Sequence, residues 1–468
     1  MFFTSQACNL LKINRLNPAS TQSFLAVALW LLALALPASG AEPPAYEARA
    51  QAVVAGLTRA NGLKNWPADE PASWPPLPDD FSRLRRESGR PVLGAAFSPD
   101  SPARLTTLAL VNAGLDKVAD LSGLSALAAL DLSGNRLSGL SLAGDEALVS
   151  LAVIRNQLSS LYLSHAPLLA DLDLTGNDLA RLDLSGNPLL AEVNLSRNRL
   201  SDLDLRNNRA LTRLDVAGNQ LSGLDISANP GLTRLRAAYN RLNSLNLAAN
   251  FRLTSLDLRN NALAVLDLSR NPDLKELSVG RNRLSGLDLS QNPNLTRLEA
   301  EHNRLTRLDL GGLSRLEILE ASGNPLSAIS LAPEAPLISL NLDGGRLPLS
   351  SLAPLTGRAR DRNRFGRQSR VLFETRALDL REELDLSAEA EFGGVPTEFQ
   401  VLNEKSRRLK PAYYTLEGGR LRFNVPGRYL VEMTNPQVYS SERGGGSGAA
   451  RIRRVKVKVV TGLVEVRP

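Results

Sequence analysis

The sequence has 468 residues, of which 55 are Lys or Arg, 48 are Asp or Glu and 92 are leucine, and its formal net charge is +7. Its charged fraction of 22% and hydrophobic fraction of 43% exclude a disordered or collagen-like chain, and the near balance of charges argues against a nucleic-acid-binding function. With only 4% aromatic residues, so much leucine indicates a repeated aliphatic core.

The N-terminus carries an apolar stretch, FLAVALWLLALAL at 24–36, after Lys12 and Arg15 and before a run of small residues at 38–41. This pattern predicts a secretory signal over residues 1–41, with an uncleaved anchor as the alternative. We therefore expect an exported chain, either secreted or periplasmic and cell-surface, with no membrane span in its mature form. Cys8 would be removed with the signal, which excludes a thiol nucleophile, disulfides and cysteine-bound metal.

Residues 42–104 contain a helical pattern around 46–60 and a proline-rich segment with Trp66 and Trp74. We predict an N-terminal cap that buries both rings against the first repeat, because an open end of a repeat array exposes apolar side chains. The alternative is an exposed aromatic platform for a ligand.

A repeat of 21 residues dominates the next part of the chain. Asparagines recur at nine consecutive intervals of 21 residues, each within the frame LxxLxLxxNxL, and twelve such frames divide residues 105–350. The asparagines are Asn135, Asn156, Asn177, Asn198, Asn219, Asn240, Asn261, Asn282, Asn303 and Asn324.

This frame resembles the leucine-rich repeat family, in its short bacterial 21-residue form, which implies a parallel β-solenoid. Alternation in xLxLx supports that implication, since it turns leucines inward and the residues between them outward. The remaining ten residues of each repeat copy the pattern and carry a second asparagine series from Asn187 to Asn292. We expect this half of the coil to be strand as well.

The second half of each repeat also aligns seven outward residues in one column: Asp183, Asp204, Asp225, Asn246, Asp267, Asp288 and Asp309. Stacked carboxylates are typical of calcium sites. However, no calcium-binding nonapeptide accompanies them, and neighbouring arginines can relieve their repulsion. The prediction is therefore no metal and no cofactor.

Outward positions of the first-half strands vary between coils, and the sixth to tenth coils carry mixed charges and one tyrosine. Arginine and tyrosine on a rigid surface are typical of protein interfaces, whereas the alternative is a solvated face with ion pairs worth at most about 1 kcal/mol each. The candidate partner-binding residues are Arg213, Arg234, Arg236, Tyr239, Asp257, Arg259, Glu276, Arg281, Arg297, Glu299, Glu301 and His302.

Residues 351–370 contain six arginines and one aspartate between 358 and 370, which predicts an Arg-rich solvated linker, or a contact with lipopolysaccharide, a membrane surface or nucleic acid. From 371 to 468 the periodicity changes to two, and short candidate strands alternate with turn signals, as in a β-sandwich. The segment 423–435 resembles the late hairpin of bacterial immunoglobulin-like domains, where a Pro-Gly turn precedes a tyrosine strand.

Catalytic patterns are missing from the sequence: it has two histidines, His165 and His302, and no HExxH, GxSxG or phosphate-loop motif. The predicted fold class is a leucine-rich repeat β-solenoid with an N-terminal cap and a C-terminal immunoglobulin-like sandwich. The arrangement is similar to internalin-type proteins, which implies a non-enzymatic scaffold for protein binding or adhesion, with no nucleic-acid partner. The alternative function is an envelope protein that binds glycan or lipopolysaccharide.

Overall fold

The computed structural model describes residues 92–97, 105–380, 382–392, 394–443 and 452–467. The predicted signal segment, the helix predicted around 46–60 and both Trp66 and Trp74 lie outside these residues. One strand of the predicted cap, Val92–Phe97, is among the described residues. It pairs antiparallel with the first solenoid strand, Leu105–Val111. No helix within the described ranges has the length and apolarity to cross a membrane.

Every repeat contributes one short strand to a single parallel ladder, so the predicted leucine-rich repeat solenoid with little helix is confirmed. The centre of each three-residue repeat strand is a buried apolar side chain, and in the fourth to tenth coils its two neighbours face out and are partly or largely exposed. The twelve strands are Leu105–Val111, Ala129–Asp131, Ser150–Ala152, Asp171–Asp173, Glu192–Asn194, Arg213–Asp215, Arg234–Arg236, Ser255–Asp257, Glu276–Ser278, Arg297–Glu299, Ile318–Glu320 and Ser339–Asn341.

The register between coils is constant, because each residue pairs with the residue one repeat away. Leu235 lies between Leu214 and Leu256, and all three are at most 1% exposed. Leucines of one frame position therefore stack in columns, and the core is continuous along the solenoid. Helical structure within the described chain is limited to one α-turn, Leu349–Leu352, and the 3₁₀ turns Ala353–Leu355, Ser387–Glu389 and Pro411–Tyr413.

Buried asparagine side chains join each coil to the one before it, as Asn198 illustrates. Its Nδ2 donates to Leu195 O at 3.0 Å in its own coil and to Leu174 O at 2.9 Å in the preceding coil. Its Oδ1 accepts from the backbone N–H of Leu179 at 3.1 Å. Asn177, Asn219, Asn261 and Asn282 repeat all three bonds. The series thus satisfies backbone groups that the turns would otherwise leave buried and unpaired.

The prediction that the second half of each coil is strand is wrong for the central coils. Paired strands occur there at the two ends only, Asp116–Asp120 with Arg136–Ser141 and Arg307–Leu310 with Ala328–Leu331. In the central coils, hydrogen bonds from side chains to backbone groups stand in place of the backbone ladder. The Asp183 carboxylate accepts from Ser185 N at 2.9 Å, and Asn208 Nδ2 donates to Asn187 O at 2.9 Å.

The prediction of a solvated linker at 351–370 is also wrong, because part of this segment forms a further coil. Its strand, Arg362–Arg364, pairs in parallel with Ser339–Asn341, and Asn363 and Phe365 are fully buried. Gln368 takes the place of the ladder asparagine: it accepts from Leu347 N at 3.0 Å and donates to Leu342 O at 2.9 Å. Asn363 replaces the frame leucine, which is why the leucine pattern ends one coil before the solenoid does.

Two arginines of this segment, Arg358 and Arg364, bond to the preceding coil. Arg358 Nη2 donates to the carbonyl oxygens of Ala332 and Pro333, both at 2.9 Å, and Arg364 forms an ion pair with Asp343 at 3.1 Å. These bonds of Arg358 and Arg364 stabilise the last coil of the solenoid.

The C-terminal region is all-β, as predicted. One sheet has the spatial order Arg367–Asp379, Lys458–Arg467, Gly427–Thr434, Glu398–Asn403, and a second has the order Glu383–Asp385, Arg420–Phe423, Tyr414–Glu417. A short pair joins Glu391–Phe392 to Val395–Pro396. The immunoglobulin-like assignment stays a prediction.

A hairpin from this region extends the solenoid sheet. Its strand Tyr439–Arg443 pairs antiparallel with Arg362–Arg364 and is followed in the sheet by Ile452–Lys456, which gives sixteen strands in all. The buried carboxylate of Glu389 adds a second connection, since it accepts from Ser350 N at 3.0 Å and from Ser350 Oγ at 2.6 Å. The last coil thus does not present an open strand edge.

Replacing a ladder asparagine tests the coil-to-coil bonds directly. We expect Asn198→Ala to lower the free energy of unfolding by about 2–4 kcal/mol, because each buried backbone group left unsatisfied costs about 1–3 kcal/mol. Urea denaturation followed by circular dichroism measures the change.

The matched control is Asn207→Ala, since Asn207 is exposed and its Nδ2 makes one bond of 3.3 Å to Ser185 O. A surface substitution of this kind should change stability by no more than about 0.5 kcal/mol. Equal losses in the two variants would show that the ladder is not the main connection between coils.

Candidate binding face

The outward side chains of the parallel strands form two straight columns, which together we call the strand face. The columns are straight because the register places equivalent residues of successive coils side by side, about 4.8 Å apart. From the fourth to the tenth coil, the first column is Asp171, Glu192, Arg213, Arg234, Ser255, Glu276 and Arg297, and the second is Asp173, Asn194, Asp215, Arg236, Asp257, Ser278 and Glu299.

A shallow depression of about 180 Å³ lies on this face between the fourth and seventh coils. Carboxylates line one side of it, at Asp171, Asp173 and Glu192, and guanidinium groups line the other, at Arg213, Arg234 and Arg236. The depression therefore has a negative and a positive end.

Ion pairs neutralise much of this charge. Arg213 contacts Glu192 at 3.1 Å, and Arg236 lies 3.8 Å from Asp215. Burial raises the pKa of the Asp215 carboxyl, although the Ala217 N–H and the Arg236 guanidinium act in the opposite direction. Arg234 is exposed and has no ion-pair partner among the residues that the structure describes.

A second cluster of charges occupies the eighth to tenth coils and is more tightly bonded. Arg259 donates to both oxygens of Asp257, at 2.9 and 2.8 Å, and lies 3.4 Å from Glu299. Hydrogen bonding to Asp257 raises the pKa of Arg259. Glu299 also accepts from Arg297 Nε at 2.9 Å and from Ser278 Oγ at 2.8 Å. These side chains hold one another in place, as the solvated-face interpretation expects.

A third column follows the strands, where the chain turns toward the second half of the coil. Tyr239, Arg281 and His302 occupy it with φ of 56°, 57° and 53°. Glycine occupies the same position in other coils, such as Gly218 and Gly323, and has similar positive φ values. Tyr239 is 61% exposed. The turn requires the left-handed conformation, which is unfavourable for residues with a Cβ.

The twelve predicted binding residues thus share one continuous surface but not one pocket. Arg213, Arg234 and Arg236 line the depression, Asp257, Arg259, Arg297 and Glu299 form the bonded cluster, and Tyr239, Arg281 and His302 lie on the turn column. Glu276 accepts from Ser255 Oγ at 3.0 Å, and the Glu301 carboxylate lies against Gly280. Their role in binding stays a prediction.

The sequence-based prediction omitted the acidic side of the depression, formed by Asp171, Asp173 and Glu192, and the neutral Asn194 beside it. These residues belong to the fourth and fifth coils, just before the coils selected. The charged residues in their outward columns were the signal that could have identified them.

The predicted aspartate column is exposed, and each carboxylate is held locally. Asp183 and Asp225 accept from the N–H of the serine two residues later, at 2.9 and 3.0 Å, and Asp204 pairs with Arg206 at 2.6 Å. Hydrogen bonds from Arg206 lower the pKa of Asp204 to about 2. Among the described residues, no group of three or more His, Cys, Asp or Glu side chains is arranged to hold a metal ion.

The histidines occupy different coils: His165 is exposed in a turn, and His302 packs over Gly323.

No protein-family model matches the chain, and no curated protein matches it. Among solved structures, the functional domain of InlJ from Listeria monocytogenes matches at 20% identity with a TM-score of 0.43, over 78% of this chain and 91% of that one. A leucine-rich repeat protein of Leptospira interrogans matches at 21% identity and 0.38, over 53% and 89%. YopM from Yersinia enterocolitica matches at 33% identity and 0.39, over 48% and 52%.

The lowered pKa of Asp204 provides a test of the local bonding in the aspartate column. Because this pKa is depressed in the folded state, the Asp204–Arg206 pair is intact above the ordinary value of 3.8 and is lost as the pH falls through about 2. We expect Arg206→Gln to raise the pKa of Asp204 toward, but not to, 3.8, since the backbone N–H of residue 206 still donates.

Carboxyl ¹³C NMR during an acid titration measures both pKa values. Asp183, which is bonded to Ser185, should keep its lowered pKa in the variant and is the internal control. An unchanged pKa at Asp204 would show that the guanidinium does not stabilise this carboxylate.

Proposed function

We propose that this chain is an exported, non-enzymatic scaffold that binds a protein partner through its strand face. The observation that carries the proposal concerns two exposed side chains of the seventh coil. Arg234, on the strand face, has no ion-pair partner among the described residues, and Tyr239, in the adjoining turn column, is 61% exposed. Arginine and tyrosine are the residue types that dominate interface energetics. A surface held in register by the asparagine series also loses little conformational entropy on binding.

The charge pattern of the face favours a protein over a uniform polyanion. Both signs of charge occur along the columns, where the carboxylates of Asp171 and Glu192 are followed by the guanidinium groups of Arg213 and Arg234. A partner must match this order of charges, which is the usual source of specificity in protein interfaces. The alternative of a glycan- or lipopolysaccharide-binding envelope protein rested on the arginine run at 358–370. Arg358 and Arg364 of that run make internal bonds, which weakens the alternative.

We further propose a division into a signal (1–41), a cap (42–104), a solenoid that begins at 105 and continues through Gln368, and a sandwich from 371 to 468. An immunoglobulin-like sandwich is supported by the two strand orders and by Tyr429, whose hydroxyl donates to Val425 O at 2.7 Å, as in a tyrosine corner. Export rests on the signal segment alone, and adhesion would be one use of such a scaffold.

The experiment is a comparative capture with the biotinylated full chain and extracts of its source cells, followed by affinity measurement with the purified partner. We expect Arg234→Ala with Tyr239→Ala to weaken binding at least about 30-fold, because two hot-spot side chains are removed. The matched control is Arg209→Ala with Tyr162→Ala, which removes the same residue types from exposed positions off the strand face. Loss of affinity in the control alone, or equally in both variants, would contradict the proposed face.

A further inference from the structure

A row of basic side chains follows the turn between the strand face and the second half of the coils. We call it the basic edge and define it by Arg197, Arg241, Arg281, Arg283, His302 and Arg304. The residues flank the ladder asparagines: Arg197, Arg281 and His302 precede one, and Arg241, Arg283 and Arg304 follow one. Since the asparagines point inward, their neighbours point out on both sides of each turn. All six side chains are exposed.

The arginines of the basic edge carry charge that no ion pair neutralises among the described residues. Within residues 105–380 none of the six has an ion pair or a side-chain hydrogen bond, whereas the nearby Arg199 pairs with Asp178 at 2.6 Å. Arg283 and Arg304 occupy the same position in adjacent coils, about 4.8 Å apart. This distance is the spacing of the backbones, and like charges at equivalent positions of neighbouring coils are unfavourable.

The backbone carries a second cost at the same place. Arg197, Arg281 and His302 have φ of 58°, 57° and 53°, in a column where Gly176, Gly218 and Gly323 show that glycine is compatible with the turn. Glycine would avoid the strain of about 1 kcal/mol that a left-handed residue with a Cβ incurs. Strain that the fold does not require points to a function for the side chains that create it.

We infer that the basic edge binds an extended acidic segment of the protein partner, rich in Asp or Glu. This inference rests on the proposed function and names the chemistry of one part of the partner. Arginine suits an acidic ligand, because its planar guanidinium group can donate two parallel hydrogen bonds to one carboxylate. The ligand must be narrow, since carboxylates next to the edge repel a broad polyanion. They belong to Glu276 and Glu299 on the strand face and to Glu301 just beyond it.

Tyr239 occupies the turn column between Arg197 and Arg281, so it borders both the basic edge and the strand face. A partner that contacts Tyr239 is therefore positioned to lay an adjoining acidic segment along the edge. Five coil steps separate Arg197 from Arg304, a length of about 24 Å, which an extended peptide of about eight residues can follow.

The probe is a fluorescent peptide of about eight glutamates, and its anisotropy is measured with the full chain at several salt concentrations. We expect Arg241→Gln with Arg283→Gln and Arg304→Gln to weaken binding at least about tenfold, and the salt dependence to become shallower, because screened ionic contacts are lost. The control is Arg209→Gln with Arg270→Gln and Arg315→Gln, which removes the same charge from exposed positions at the opposite turn and should change affinity less than about twofold.

Equal weakening by the two triple variants would overturn the inference, since net charge alone would then explain binding, and so would failure of the wild-type chain to bind the peptide. An oligothymidylate or oligouronate of the same charge serves as a competing probe. If it binds more tightly than the glutamate peptide and the Arg241, Arg283 and Arg304 variant weakens its binding equally, the assignment to a polypeptide is overturned. The strand-face variant Arg234→Ala, which leaves Tyr239 and the rest of the turn column intact, should bind the glutamate peptide within about twofold of the wild-type chain. Its loss of the natural partner therefore reports on the proposed function separately.

Discussion

The hydrogen bonds of the inward asparagines are the constraint on which the rest of the structure depends. A coil of 21 residues is too short to bury its own leucines, so it is stable only against its neighbours. Its turns, moreover, contain backbone groups that cannot reach water. Each asparagine of the first series satisfies such groups in two coils at once, as Asn198 does with Leu195, Leu174 and Leu179. One side chain thereby fixes both the turn and the register.

The fixed register converts the 21-residue sequence pattern into a surface with defined columns of side chains. Residues 21 positions apart become neighbours, so charges on the strand face meet across coils, as Arg213 does with Glu192. Residues only two positions apart also pair, as Arg259 does with Asp257. Such exposed pairs contribute little stability. Their order along the columns matters more, because it leaves Arg234 and the basic edge without ion-pair partners among the described residues and so available to a ligand.

The hydrogen bonds between coils differ between the ends of the solenoid and its centre. In the centre, aspartate and asparagine side chains replace a second strand ladder, whereas at the two ends backbone pairs form it, as Arg307–Leu310 does with Ala328–Leu331. The last coil substitutes Asn363 for the frame leucine and Gln368 for the frame asparagine, and a hairpin from the C-terminal region then continues the sheet. Gln368 preserves the hydrogen bonds of the ladder asparagine, but Asn363 breaks the leucine pattern. The leucine frame in the sequence therefore could not identify this last coil.

The sequence by itself determined the solenoid, its twelve frames and the inward or outward direction of each strand residue, because burial of leucine and satisfaction of turn backbone groups are local requirements that recur every 21 residues. It also indicated the charged outward residues of the sixth to tenth coils, although not those of the fourth and fifth. Only the tertiary structure decided which charges neutralise each other and that Asp171 and Glu192 complete a depression with Arg213. It also showed that Arg234 has no ion-pair partner in the part of the chain that it describes. The physical reason is that ion pairing depends on side-chain distances across coils, which differ among residues of the same type in the same column.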